Sequence, residues 1–364
     1  MSVSPDVTIV GAGIIGLTTA AALARRGLSV ALVGDERPGE ASSAAGGMLA
    51  PSIEKASGPA HDFAIAARDI YPAYIEELAE SSGIRVPLNR LGILQVALTS
   101  AGVKGLRKTA PPEAEWVDRR ELAEAEPTLG HALGAMLNPN DGAVDNVTLL
   151  RALAVLLDTL PEVSRISDSV RAVTARDNGV RVQLTSGMPI DTGFAVIAGG
   201  AWSSMIDGVP LLSSVTPVRG QMVCYGSIGL RHVVYGPRGY LVPRVNIGTI
   251  AGSTMEDVGF DARTTEQGMS RIRSASEEIA PALSVTAIQR SWAGLRPITP
   301  DLLPILGPDP NHPNIIYSCG HSRNGILLAP LSAEVVASLL SGETPKHDLS
   351  QFRPDRFQGR FTRP

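Results

Sequence analysis

The residues with the plainest chemistry stand near the start of the chain. Gly11-Ala12-Gly13-Ile14-Ile15-Gly16 lies between an apolar run at 7–10 and a helical run at 17–26. A helix that begins in such a turn offers free N–H groups and the positive end of its dipole to a phosphate. Gly11 permits the tight turn, Gly13 leaves room for a pyrophosphate, and Gly16 lets the helix pack against the strand. Gly27 closes the helix, and Val30-Ala31-Leu32-Val33 forms a second apolar run. The spacing predicts strand, turn, helix, strand, which is a dinucleotide site. The acidic residue that usually ends the second strand and binds the adenosine ribose is replaced by Gly34. Asp35 is the candidate for that role, and the lack of a basic residue just there disfavours NADP.

Other small-residue stretches point at the same ligand. Ala41-Ser42-Ser43-Ala44-Ala45-Gly46-Gly47-Met48-Leu49-Ala50-Pro51 suits a large flat molecule lying against backbone. The alternative is a flexible linker, for which Met48 and Leu49 are poor residues. Gly199-Gly200-Ala201-Trp202 ends a buried strand at 194–198 and gives another approach to the ligand, with Trp202 as packing. Cys319-Gly320-His321-Ser322-Arg323-Asn324-Gly325 joins a strand at 315–318 to a helix at 326–340, whose N-terminus can face an anion.

Composition narrows the classes. A chain of 364 residues, 44% hydrophobic, suggests two domains. The net charge of −4, without a basic block, gives no reason to expect nucleic acid or an anionic membrane. The two cysteines, Cys224 and Cys319, and the six histidines show no ligand spacing, so no metal site and a reducing cytoplasm are expected. No apolar stretch is long enough to span a bilayer, and the first apolar run belongs to the glycine-rich unit, so no signal peptide is expected.

The elements that must position these residues follow from periodicity. Phe63, Ala64, Ala67, Ile70, Tyr71, Tyr74, Ile75 and Leu78 predict one amphipathic helix over 61–81, with His61 as a capping or surface group. Strands are expected over 88–98, short charged helical material over 104–127, and a strand over 135–144 with a turn at Asp141-Gly142. A helix over 146–160 takes Asn146 as N-cap. A hairpin over 167–175 and 180–185 turns at Asp177-Asn178-Gly179. From 215 the chain reads as strands at 217–225, 240–244 and 249–254, a helix at 266–279, and a strand over 286–295 that ends at Arg296-Pro297. An antiparallel sheet inserted into a Rossmann-type chain makes a substrate roof.

The whole chain resembles the D-amino-acid oxidase family of FAD oxidoreductases, and within it the glycine oxidases of the thiamin-biosynthesis type. The resemblance rests on the Gly11–Gly16 unit, the 42–51 stretch, Pro217-Val218-Arg219-Gly220-Gln221-Met222, Tyr240-Leu241-Val242-Pro243-Arg244, Trp292-Ala293-Gly294-Leu295-Arg296-Pro297 and Gly320-His321-Ser322-Arg323-Asn324-Gly325-Ile326-Leu327-Leu328-Ala329-Pro330. It implies non-covalent FAD and an α/β fold, with a Rossmann-type FAD domain (1–85, 145–212, 305–364) and a substrate domain with a mainly antiparallel sheet (86–144, 213–304). It further implies that Arg296 clamps a substrate carboxylate, that Tyr240 lies over the flavin, and that Arg323 sits beside it. By the same resemblance FAD contacts fall on Ile14, Ile15, Ser42, Ser43, Gly47, Met48, Leu49, Val173 and the turn His321, Ser322, Arg323, Asn324, Gly325, Ile326 and Leu327, with the adenosine side on Gly34 and Asp35. The family usually carries an aromatic between His321 and Arg323, so Ser322 predicts a roomier or more polar pocket.

The implied reaction is oxidation of a small amino acid (glycine, sarcosine or a small D-amino acid) by hydride transfer from Cα to the flavin. An imino acid forms, water converts it to a keto acid and ammonia, and dioxygen as acceptor gives hydrogen peroxide. No side-chain general base is required. Relatives suggest a homo-oligomer. The alternatives are a dehydrogenase with a quinone or carrier acceptor, an oxidase of a specialised or secondary amine with flavin on a cysteine, and a non-catalytic flavin-binding protein. Cys319 stands in no covalent-attachment motif, and the joint presence of Arg296, Tyr240 and Arg323 argues against the non-catalytic reading.

Overall fold

The computed structural model describes residues 4–54, 56–245 and 247–357. The first apolar runs pair in parallel, Val7–Val10 with Val30–Val33, as the nucleus of a six-stranded sheet. Its order is Ile305–Pro308, Ile315–Cys319, Phe194–Ile197, Val7–Val10, Val30–Val33, Val163–Ile166. All neighbours are parallel except Ile305–Pro308 against Ile315–Cys319. Alternate residues face opposite sides, and both sides are buried. Ile9, Leu32, Val196 and Ile316 pack under the helices Ile14–Ala24, Pro59–Asp69, Asn146–Thr159 and Gly325–Leu340. Val10, Val33, Ile197 and Tyr317 pack under the antiparallel sheet Val170–Arg176, Gly179–Leu184, Pro189–Thr192. The strand order reverses beside Val7–Val10, and ligands of such sheets bind at the carboxyl ends flanking that point.

An eight-stranded sheet stands over those ends. Its order is Ile288–Ile298, Thr216–Tyr225, Gly248–Gly252, Tyr240–Arg244, Val233–Tyr235, Ile93–Ala97, Gly134–Asn138, Glu115–Asp118. It is antiparallel apart from Val233–Tyr235 beside Ile93–Ala97. One face, with Val223, Leu241 and Ala251, buries Ile272 and Ile279 of the helix Glu266–Ile279. The other face turns Met222, Tyr240 and Val242 toward Met48 and Ala50. A small sheet of Met48–Leu49, Gly142–Val144 and Leu88–Asn89 joins segments from both sides of the expected domain boundary. No helix among the described residues is long and apolar enough to cross a membrane.

Three expectations need correction. The helix over 61–81 is two helices, Pro59–Asp69 and Tyr71–Ser82, broken at Ile70. Pro72 has no N–H to continue the first, and its ring would strike the carbonyl four residues back, so the amphipathic pattern runs through a break it does not reveal. The stretch 104–127 holds a strand, Glu115–Asp118, between the helices Ser100–Thr109 and Arg119–Ala125. The N-cap of Asn146–Thr159 is Asp145, whose carboxylate accepts the Thr148 N–H at 2.9 Å; the Asn146 amide is used elsewhere.

Candidate functional site

Between the two sheets lies a cavity of about 410 Å³, long rather than round. Its wall runs from Asp35, Arg37 and Arg171, past Gly11–Ile15 and Ser42–Met48, to Tyr240, Arg296 and Arg323. At the phosphate end the chain leaves Val10 through Gly11, whose φ of +110° and lack of a Cβ are both required: an added Cβ would lie 2.4 Å from Ala198 O on the neighbouring strand. A Cβ on Gly16 would lie 1.8 Å from Gly11 O, so the helix sits against its own turn. The Ile14 N–H donates to Ser42 Oγ at 3.0 Å, which ties the 41–47 stretch to the helix N-terminus. Ser318 Oγ, buried on the cavity wall, has no hydrogen-bond partner among the described residues. Backbone that no Cβ could share, a helix start and an unpartnered hydroxyl in one long cleft fit a dinucleotide such as FAD.

Gly34 is forced by the same turn. A Cβ there would meet Ala12 Cβ at 2.5 Å and Ala12 N at 2.7 Å, so no carboxylate can start from this position without moving the turn. Asp35, one residue on, reaches the wall; its carboxylate accepts the Glu36 N–H at 3.0 Å and the Ser167 hydroxyl at 3.4 Å. A basic residue, Arg37, also lines this end, with its guanidinium over Trp202 and bonded to Ser169 Oγ at 2.7 Å.

The 42–47 stretch is braced from above. Arg244 is half-buried and donates to Val144 O (2.7 Å), Gly46 O (2.9 Å) and Asn146 Oδ1 (2.8 Å), while Asn146 donates to Ser42 O at 2.8 Å. Burial lowers the Arg244 pKa from its usual value. Trp292 Nε1–H donates to Ala44 O at 3.0 Å, fixing the roof sheet on the same stretch. Tyr71 donates to Ile326 O, holding the start of the last helix toward the cavity.

At the far end stand the three residues expected to meet substrate. The Tyr240 ring is buried, its hydroxyl 3.3 Å from Met222 Sδ and its centroid 5.5 Å from that of Tyr235. Arg296 donates to Thr254 O at 3.1 Å and to Ser253 Oγ at 2.7 Å, both neutral acceptors. No carboxylate pairs with it among the described residues. Its guanidinium lies against Gly220, where a Cβ would come within 2.0 Å of Nη1. Of the five N–H donors on a guanidinium, three have no partner among the described residues. Arg323 differs: it pairs with Glu54 at 3.0 Å and donates to Tyr235 Oη at 3.1 Å. Burial works against its charge, and Glu54 and Tyr235 outweigh that and hold its pKa above the ordinary value. Ser322 is in the left-handed region (φ +51°), with its hydroxyl turned to Gly320 O and Thr299 rather than left free for a ligand.

The cavity wall thus brings together Gly11, Gly13, Ile14, Ile15, Asp35, Ser42, Gly47, Met48, Tyr240, Arg296 and the turn His321–Ile326. Five expected contacts lie off it. Gly16 faces the turn behind the helix, and the Ser43 hydroxyl donates back to Glu40 O. Leu49 and Leu327 are packed into the helical core. Val173, on the small antiparallel sheet, is fully buried on the inner face of that sheet with its N–H on Asp207 O; its neighbours Ser169, Val170 and Arg171 reach the wall. Sequence reasoning missed Arg37, Glu54, Tyr235, Arg244 and Ser253. Only Arg244 stood inside a quoted motif; the others reach the site through partners distant in the chain.

Two outcomes follow. Gly220→Ala should leave fold and FAD content intact, since the flexible tip of Arg296 can move aside, but weaken binding of a small carboxylate such as glycolate by about tenfold, read by titrating the flavin absorbance. His321 is fully buried against Ser332 Oγ at 3.1 Å, and desolvation pushes its pKa down from 6.5 to about 3. The unfolded chain therefore takes up a proton between these values that the folded chain refuses, so this group costs stability as pH falls from 6.5 to 3. Asp141, pushed up to about 6 by burial, acts in the opposite direction. The stability difference between wild type and His321→Asn should therefore turn against wild type on acidification, measured by denaturant titration from pH 7 to 4.5; a pH-independent difference would refute the neutral buried imidazole.

Known proteins share this fold. A family model described as FAD dependent oxidoreductase (DAO) matches residues 6–339. Glycine oxidase of Geobacillus kaustophilus is 34% identical over 98% of both chains. Its crystal structure superposes with a TM-score of 0.90, at 32% identity, over 98% of this chain and 99% of that one. Iminodiacetate oxidase of Chelativorans sp. BNC1 superposes at 0.87 with 26% identity, over 96% and 98%. The bifunctional protein ThiO/ThiG of Synechocystis is 33% identical over 98% of this chain, which spans only 55% of that protein's length. From its glycine-rich unit to its last helix, the chain belongs to the DAO family of FAD-dependent oxidoreductases.

Proposed function

We propose that the protein oxidises a small amino acid, with glycine, sarcosine and small D-amino acids as the substrate class, using non-covalent FAD in the cytoplasm and dioxygen as electron acceptor. The observation that carries the reading is Arg296: a guanidinium on the cavity wall, held by two neutral acceptors and without a carboxylate partner among the described residues. The similarity to glycine oxidase over nearly the full chain supports the substrate class.

The chemistry divides simply. FAD, when bound, supplies the two-electron acceptor for the substrate Cα–H. Arg296 supplies binding and orientation: its remaining N–H groups match a carboxylate in parallel, each charge-assisted bond worth about 1.5–3 kcal/mol. The thioether of Met222 is a weak acceptor, so Tyr240 can turn its hydroxyl from that sulfur to a carboxylate oxygen at little cost. The buried faces of Tyr240 and Met222 exclude water from above. Arg323 carries Glu54 as a counter-ion, so this part of the pocket is nearly neutral, and a substrate with a second carboxylate would have to displace Glu54. That favours a short side chain.

Arg296→Lys tests the reading, because an ammonium is a point charge that cannot make two parallel bonds. With FAD content kept, kcat/KM for glycine or D-alanine, followed by oxygen uptake, should fall about 10- to 100-fold. A variant as active as wild type would overturn the carboxylate anchor. Turnover with an artificial acceptor but not with oxygen would replace the oxidase by a dehydrogenase.

A further inference from the structure

The motif Arg219-Gly220-Gln221 sits on the strand Thr216–Tyr225, where alternate residues face opposite ways. Gly220 faces the cavity and leaves room for the Arg296 guanidinium. Arg219 and Gln221 face away from the cavity and converge on one carboxylate. Arg219 Nε donates to Glu256 Oε2 at 2.7 Å, and Gln221 Nε2 donates to the same oxygen at 2.7 Å. All three are well covered, the side chains of Arg219 and Glu256 being 5% and 15% exposed and Gln221 fully buried. The backbone repeats the contact: Arg219 N–H donates to Glu256 O at 2.9 Å, and Glu256 N–H to Arg219 O at 3.0 Å. Gln221 N–H donates to Thr254 Oγ1 at 3.0 Å. Burial raises the cost of the Glu256 charge, and the bonds from Gln221 and Arg219 outweigh it, holding that carboxyl below its usual range.

The segment pinned in this way is the one that holds Arg296. Ser253 Oγ and Thr254 O, its two acceptors, lie within three residues of Glu256. Bonds to charged groups are the strong ones, and a group fixed by several of them holds its neighbours in place. We propose that Arg219, Gln221 and Glu256 are positioning residues, which fasten residues 253–256 to the strand on the side away from the cavity and so aim the Arg296 guanidinium into it. The proposal rests on the reading of Arg296 as the carboxylate anchor. One motif thus does two things: its glycine opens the space and its polar flanks hold the frame.

The test is glycolate binding to the oxidised holoprotein, titrated through the flavin absorbance, for wild type, Glu256→Gln, Gln221→Met and Arg296→Ala. Glu256→Gln and Gln221→Met should each raise the glycolate Kd by about tenfold or more, with FAD content kept. The KM for glycine should rise by more than kcat falls, which loss of general stability would not produce. If Arg296→Ala loses glycolate binding while both other variants bind as wild type does, the positioning role is overturned and the anchor stands. If Arg296→Ala binds glycolate as wild type does, the anchor itself falls and the positioning role with it. Should Glu256→Gln yield no folded holoprotein, Gln221→Met decides, because it removes a donor to Glu256 and leaves the Arg219 ion pair. Thr265→Val, which removes the hydroxyl that accepts from Gln221 without touching Glu256, controls for the loss of the Gln221 bonds to Thr265. A Thr265→Val variant that weakens glycolate binding as much as Gln221→Met does would overturn the positioning role.

Discussion

A guanidinium brought to a cavity wall without a counter-ion calls for an anion, and much of this structure can be understood from that constraint. Charges taken out of water are costly unless paired and hydrogen-bonded. Among the described residues Arg296 receives two neutral acceptors and no carboxylate, so the strongest partner remaining for it is one that comes from solution. The contrast with the other cavity arginines is informative. Arg323 has Glu54 and Tyr235, and Arg37 has Trp202 and Ser169. Arg244 spends its donors on backbone carbonyls and the amide of Asn146. Five guanidinium groups line or flank the cavity. Among the described residues Arg171, exposed at the Asp35 end, and Arg296, half-buried at the Tyr240 end, have no carboxylate partner, and of these two only Arg296 stands beside Tyr240.

The two sheets divide the work. The parallel sheet, closed on both faces, brings Gly11 and Ala198 together at the point where the strand order reverses, and the first helix starts there. The antiparallel sheet brings Tyr240, Met222 and Arg296 over the same crevice from above. What joins them is the stretch of small residues at 41–47, bonded from below by Ile14 and from above by Arg244 and Trp292. Its small side chains are what allow a flat cofactor and a close roof at once.

The fold was largely legible in the sequence because its signals are local. The glycine-rich unit, the helix Glu266–Ile279 and the turn at Asp177-Asn178 all lie where period and turn chemistry put them. Failures came where a local signal was overridden or had none. Pro72 split a helix whose apolar period continued across the break. Asp145 took the cap because Asn146 was engaged by Ser42 and Arg244, partners some 100 residues away. Tyr235 and Glu54 enter the site by pairing with Arg323, and the short strand that carries Tyr235 is stabilised by neighbours at 93–97 and 240–244. The Val173 side chain is turned into the core, a placement that depends on strands 7–10 and 194–197 packing beneath it and that no local pattern announces. The Gly34 departure acquires a reason only in three dimensions, since Ala12 fills the space a side chain would need.

The most direct measurement is anaerobic bleaching of the bound flavin by matched amines, glycine and sarcosine against glycinamide and methylamine, with D-alanine and L-alanine as the chiral pair. The account predicts rapid bleaching by one or more of the carboxylate-bearing amines and little by those that lack the carboxylate, with yellow colour returning when air is admitted. Equal bleaching by glycinamide, or a flavin that stays yellow with every small amino acid, would contradict the central claim that an unpaired Arg296 selects its substrate by the carboxylate.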